Sequence, residues 1–307
     1  MKRIVVVLLT GLLLLSLFGC VRISCSVPVR YSNADKYTAG GFTYDETKVR
    51  KVEIEWIAGS VTLSNGKGTL SVSEACEKEL SEEEQMHWWI DGTTLKIKYC
   101  KSGNTLSLSG MEKKDLTIEL PAFADLDIKV ASGKIIGENM LDLGNLKIET
   151  ASGGTDIKFL SAKEVKVEAA SGKTVFGKVS VSGEFEVDTA SGGLTVDEVN
   201  ANEVDVNSAS GGITLGKITA EKLDIDNASG GVTLGIQSVS KVNIDSTSGG
   251  VKITLADKDA GAKIKFDAVS GSFGTQLPFE KEGSVYTIGQ GLIDMEIDVV
   301  SGSVTVE

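Results

Sequence analysis

The chain has 307 residues, with 35 Gly, 3 Pro, one His, 6% aromatic residues and a formal net charge of −12. So acidic a surface, with no basic patch interleaved with aromatics, repels nucleic acid and anionic lipid headgroups and excludes nucleic acid as a partner. With His87 as its single histidine the chain offers no nucleophile–base pair, Gly-rich phosphate loop or metal-ligand spacing. It is therefore read as non-enzymatic, with no cofactor and no metal.

Lys2 and Arg3 precede an apolar run, Ile4 to Phe18, that is short for a membrane span and suited to a secretory signal. The run ends Leu17-Phe18-Gly19-Cys20. This resembles a bacterial lipobox, so residues 1–19 are expected to be a lipoprotein signal peptide. Cys20 is the expected lipidation site, and the membrane is a partner through that anchor. Two acyl chains suffice for stable anchoring. The competing reading is an ordinary signal peptide with an incidental Cys. Residues 20–48 are polar and lack periodicity, which predicts a flexible tether. The expected location is extracytoplasmic.

From Val52 the pattern turns to period-two alternation, the mark of half-buried strands. VEIEWIAGSVTL (52–63) carries two strands around a Gly, and Thr69–Ser73, Leu95–Tyr99 and Leu116–Leu120 supply more. Between them runs an acidic segment, EKELSEEEQMH, read as a short helix or an open loop. Trp88 and Trp89 point to opposite faces if they lie on a strand, and core or cap packing is their expected role. Cys76 and Cys100 each end a predicted strand and form the candidate disulfide, which export permits. Free thiols are the alternative. Residues 49–125 are read as divergent first coils plus a cap, since the end of a strand stack exposes unpaired edges.

Beyond residue 125 the chain repeats every 19 or 20 residues. The unit is a strand, Ala-Ser-Gly-Gly, and a second strand, with serines at 132, 152, 171, 191, 210, 229 and 248 and looser copies at 270 and 301. A unit this short buries its apolar face only by stacking on its neighbours. It has no room for a helix or a returning hairpin, so the strands are expected to be parallel. The predicted fold is all-β: a single-stranded parallel β-solenoid (β-helix) over residues 49–307, regular over 126–307, with an irregular N-terminal cap. A β-sandwich is the competing reading, but it does not require identical residues at a fixed period. A third short apolar element is expected at Val179, Val199, Ile218 and Val239. The Gly pair is the expected turn, with Gly212 and Gly231 as the residues that need special backbone angles. Thr150, Ala169, Thr189, Ser208, Asn227 and Ser246 fall in an inner column, where their polar groups are expected to bond one another along the stack.

The segments VEIEWIAGSVTL, GTLSVSE, TTLKIKYCKSG and KDLTIELP, followed by the serial strand-ASGG-strand units, together resemble the bacterial putative-adhesin family of repetitive β-strand envelope proteins. The resemblance covers residues 51–307. It implies a solenoid-like all-β fold and an extracytoplasmic place; its function label rests on fold analogy and adds little.

The sharpest chemical feature is a pair of acidic outer columns, with Asp188, Asp226 and Asp245 in one and Asp205 and Asp224 in the other. They are read as a solvated face, or alternatively as a weak cation-binding face. The function expected from these residues is a lipid-anchored envelope protein that presents a rigid adhesion or scaffold surface. Its alternative is an envelope-stress signalling component that binds a membrane partner or cationic peptides. A carbohydrate-active enzyme is the third and least favoured reading, because the loops between serines 132 and 248 are short and uniform.

Overall fold

The computed structural model describes residues 26–44, 48–65, 69–107, 111–120 and 124–307. Cys20, Cys25 and the signal segment lie outside the described residues. The described chain is strand almost throughout, with one 3-10 turn at Ala34–Lys36. It divides into two compact units, residues up to Ala162 and Lys163–Glu307. The division does not coincide with the expected change of regularity near residue 125.

In the first unit three long strands stack parallel and in register. Lys51–Asn65 pairs with Asp125–Met140, and Asp125–Met140 with Asn145–Ala162. Each strand bends at its Gly corner, and apolar side chains such as Ile54, Ile128 and Ile148 are fully buried inside. The outer side of Lys51–Asn65 is covered by two shorter parallel strands. Thr94–Lys98 lies along its first leg and Lys114–Leu120 along its second. Antiparallel strands His87–Asp91 and Leu70–Cys76 flank these in turn. These four strands are assembled from the chain that follows residue 65. The acidic segment after Cys76 is an open loop with one turn rather than a helix.

The tether expected over residues 20–48 is corrected where the structure describes it. Three short strands each pair antiparallel with a different partner: Ser26–Pro28 with Thr105–Ser107, Thr38–Ala39 with His87 and Trp88, and Phe42–Tyr44 with Leu70–Val72. Aromatic rings explain the attachment. Phe42 packs on Trp88 with centroids 3.9 Å apart, and Tyr37 meets Trp89 edge-on at 5.7 Å. The two tryptophans therefore do face opposite ways, and both hold this segment.

In the second unit each strand pairs with its counterpart 19 or 20 residues on: Val165 with Phe185, Phe185 with Val204, Val204 with Leu223 and Leu223 with Val242. Val179, Val199 and Ile218 are buried and stack in one ladder, but they belong to the second strand of each repeat rather than to a separate element. Val239 is offset and pairs with Ala220. The stacking order departs from chain order at the end. The final strand, Ile293–Val306, lies between Val232–Ser248 and Ala262–Thr275. Its inner residues Ile293, Met295, Ile297, Val299, Val304 and Val306 are all buried, whereas Ala262–Thr275 buries only Ala262 and Ile264. The more apolar strand takes the covered position, as the burial of apolar area requires.

Two expectations about the corner are corrected. The turn residue is the first Gly of each pair. Gly211 and Gly230 have φ of 143° and 128°, and a Cβ on Gly211 would overlap the Gly192 carbonyl oxygen. At Gly212 the nearest atom to such a Cβ is 3.7 Å away. The corner is thus a file of stacked backbones that only Gly permits. The inner polar column is buried as expected, with Thr150, Ala169, Thr189, Ser208, Asn227 and Ser246 all at 5% exposure or less. Its members do not bond one another. Thr189 Oγ1, Ser208 Oγ, Asn227 Oδ1 and Ser246 Oγ have no hydrogen-bond partner among the described residues.

Candidate functional site

The two outer columns of the second unit are built by parallel register. One runs Asp188, Asn207, Asp226, Asp245, Asp298, Asp267. The other runs Glu186, Asp205, Asp224, Asn243, Glu296, Lys265. The late insertion of Ile293–Val306 places Asp298 between Asp245 and Asp267, an adjacency that chain order conceals.

Of the five acids singled out from the sequence, three are already engaged. The Asn207 amide donates to Asp188 Oδ1 and to Asp205 Oδ1, each at 2.9 Å. All three of these groups are buried, so this end of the face is not a solvated surface. Burial raises the Asp188 pKa above its ordinary value, the Asn207 bond opposing. Asp224 accepts from the Asn243 amide at 2.6 Å and pairs with Lys222, which also holds Glu203 at 2.6 Å. Asn207 is thus a clip between two carboxylates, and Asn243 holds one. Asp226 and Asp245 differ: with Asp298 and Asp267 they make four successive carboxylates in one column. The Asp245 pKa is raised, first by burial and then by Asp226 and Asp298. Lys265 reaches this run only at its end, 3.6 Å from Asp267. Among the described residues no His, Cys, Asp and Glu group has metal-holding geometry.

The first unit holds a site that the sequence reading missed. Lys114 is 1% exposed. Its ammonium pairs with Glu74 at 2.9 Å, donates to the Glu84 carbonyl at 2.7 Å and to the Tyr99 carbonyl, and lies 4.2 Å from the Tyr99 ring and 5.1 Å from the Trp56 ring. Glu74 in turn accepts the Met86 backbone N–H, and Trp56 Nε1 donates to the Lys114 carbonyl at 2.9 Å. Burial lowers the Lys114 pKa, with Glu74 opposing. The signal was present: Lys114 is in phase with Leu116, Ile118 and Leu120, whose side chains are all buried.

Cys76 sits opposite Lys114 on the neighbouring strand, and Cys100 follows Tyr99. Both are free thiols, so the disulfide expected between them is not formed. Burial pushes the Cys100 thiol up to about 11, which disfavours the thiolate that exchange requires.

Comparison with known proteins gives three findings. A family model described as Toastrack DUF4097 matches residues 49–307. Solved structures similar to the chain include two putative adhesins and a putative cell adhesion protein. The adhesin from Parabacteroides distasonis is 11% identical, covers 91% of this chain and 99% of its own, and has a TM-score of 0.49. That from Bacteroides fragilis is 13% identical, covers 94% and 100%, and has a TM-score of 0.46. The cell adhesion protein from Clostridium sporogenes is 15% identical, covers 87% and 98%, and has a TM-score of 0.23. No curated protein matches the chain.

Proposed function

The chain belongs to the Toastrack family, DUF4097, and we propose that it is a non-enzymatic bacterial envelope protein held at the outer side of the membrane by lipid on Cys20. In this reading its repeats wind as parallel β-solenoid coils of 19–20 residues and present a rigid adhesion or scaffold surface. The observation that carries the reading is the register of the repeats, which is kept through the corners within each unit and, among the described residues, slips only between Leu215 and Thr219. Equivalent residues stack through the corner itself, Ser132 on Ser152 and Ser229 on Ser248. Outward side chains are thereby held in fixed columns, a geometry suited to extended contact rather than to enclosing a substrate. The test is capture from membranes with the full, anchored chain as bait. Specific retention of an envelope protein or glycan, lost when the anchor is removed by Cys20→Ser, is the expected result. Turnover of a glycan by the purified chain would sink the non-enzymatic part.

A second reading is favoured by one observation, the four-carboxylate run Asp226, Asp245, Asp298 and Asp267. Like charges stacked about 4.8 Å apart repel by about 0.9 kcal/mol per pair in water, and a cationic peptide relieves that repulsion. An envelope-stress component that captures such peptides would gain thermal stability from a polycation at low salt, following RT ln(1 + [L]/Kd). Melting temperatures unmoved by polycation at low salt would remove this reading.

A further inference from the structure

The second unit ends on the strand Ala262–Thr275, whose outer edge is covered over its first residues and, among the described residues, left unpaired beyond them. Ala262–Thr275 pairs parallel with Ile293–Val306 along its whole length. On its other side Val285–Ile288 covers only Ala262–Lys265, and the Phe266 N–H reaches the Ser284 carbonyl. Among the described residues no strand pairs with that side of Asp267–Thr275. Five consecutive residues, Ala268 to Ser272, are exposed within this strand. Ala268 occupies the inner column that is buried at Ser208, Asn227, Ser246 and Val299. Val269 is 84% exposed, at the outer corner position held by Ala190, Ala209 and Ala228 in earlier repeats.

Exposed edges are normally blunted by charge, Pro or a bulge. This one is not. From Ala268 to Leu277 the sequence AVSGSFGTQL has no charge and no Pro. Half-buried Phe273 stacks on Tyr286 at 4.1 Å and touches Phe266 and Phe279, so a hydrophobic floor lies directly behind the open edge.

The geometry points to a second copy of this chain as the occupant, docked edge to edge and antiparallel about a two-fold axis through the corner between Ser270 and Gly271. The corner shifts the phase of alternation, so inner residues are Phe266, Ala268, Phe273 and Thr275, each opposite a buried residue of Ile293–Val306. An axis between 270 and 271 is the one that returns inner column to inner column. It sets Ala268 opposite the partner's Phe273 twice over, an apolar pair that shields both. It sets Asp267 opposite Gly274 and Val269 opposite Ser272, so no like charges meet. A parallel partner strand would find no such self-complementarity. Two-fold pairing also closes the edge after one addition, as an isologous contact must.

The test uses the full chain in detergent. Sedimentation across a concentration series is expected to show a monomer–dimer equilibrium. In concentrated protein the amides of residues 267–275 are expected to exchange about tenfold more slowly than in dilute protein. Ala268→Lys places a charge at the inner position against Phe273 and is expected to weaken the dimer by at least about tenfold. Val269→Lys points outward and is expected to leave association within about threefold of the native chain. Both residues are exposed, and an unchanged melting temperature verifies folding. A monomer at every concentration, or exchange at 267–275 independent of concentration, overturns the proposal. So does a dimer lost in Val269→Lys but kept in Ala268→Lys, which would indicate face-on docking. Protection that appears only on adding membrane extract also overturns it, in favour of a different chain on the same edge.

Discussion

The two units stack strands by the same rule and end them in opposite ways. In residues 26–162 the corner backbones of Gly153, Gly133 and Gly59 sit on one another, and the Lys114 backbone sits on Gly59. That file is closed by a buried ammonium, a carboxylate, two aromatic rings and two carbonyls. In residues 163–307 the corresponding file ends on Gly302 and Gly271, with the strand of Gly271 open to solvent. A repetitive ladder has no intrinsic stop, because each repeat offers its successor the edge it received. Stopping it needs either residues foreign to the repeat, as at Lys114, or a partner. The first end is locally specified and costly to disturb. The second is built of ordinary repeat residues and tolerant of change.

The largest effect expected from that contrast is at Lys114. Lys114→Ala removes one member of a buried pair and leaves Glu74 without its counter-ion, so a loss of about 3–5 kcal/mol is expected in denaturant unfolding. Lys114→Met combined with Glu74→Gln removes both charges and is expected to recover most of that loss. A double variant no better than Lys114→Ala would mean that packing, not charge compensation, closes the first unit.

The corner comes next. Gly211→Val is expected to cost about 1–3 kcal/mol, since the side chain meets the Gly192 backbone and forces a residue into a region L-amino acids avoid. Gly212→Val, one residue on, puts its Cβ at an ordinary contact distance of 3.7 Å from the Gly231 carbonyl oxygen and has no positive φ. It is expected to change stability by less than about 0.5 kcal/mol. Equal effects at the two positions would show that the backbone file does not set the repeat. Smaller still is the inner polar column. Ser208→Ala deletes a buried hydroxyl that has no partner among the described residues and is expected to raise stability by up to about 1 kcal/mol. Destabilisation would show that the hydroxyl is satisfied in solution.

These positions mark what the sequence discloses. The serine spacing dictated parallel, in-register strands because a 19-residue unit can bury its apolar face in few other ways. The inner column at Thr189, Ser208 and Ser246 followed from alternation. The glycine that bears the strain was misplaced by one residue, since Gly-Gly offers two candidates and only stacking distinguishes them. Lys114 was hidden because residue type argued against burial while phase argued for it. The adjacency of Asp245, Asp298 and Asp267 was invisible because it depends on which of the last two strands is inserted. Burial settles that, and periodicity does not record it.

The smallest expected effect sharpens the comparison at the open end, where carboxylates accumulate. Asp245 has a raised pKa, from burial first and from Asp226 and Asp298 next. Its protonated form is therefore favoured by folding, and the sign follows from linkage. The stabilisation is fully present below the unfolded value of about 4 and is lost as pH rises through the folded value. At neutral pH the ionised group opposes the fold. Asp245→Asn should then raise stability at neutral pH by about 0.5 kcal/mol at low salt, a figure discounted for the solvent that screens this column. The gain should shrink as pH falls towards 4 and as salt is added. Asp224→Asn is the control of opposite sign, because Asp224 is held by Lys222 and Asn243; its loss should be neutral or destabilising at every pH. If Asp245→Asn brought no gain at neutral pH, or one independent of pH, then the four carboxylates would not act on one another. The open end would then be as well neutralised as the closed one.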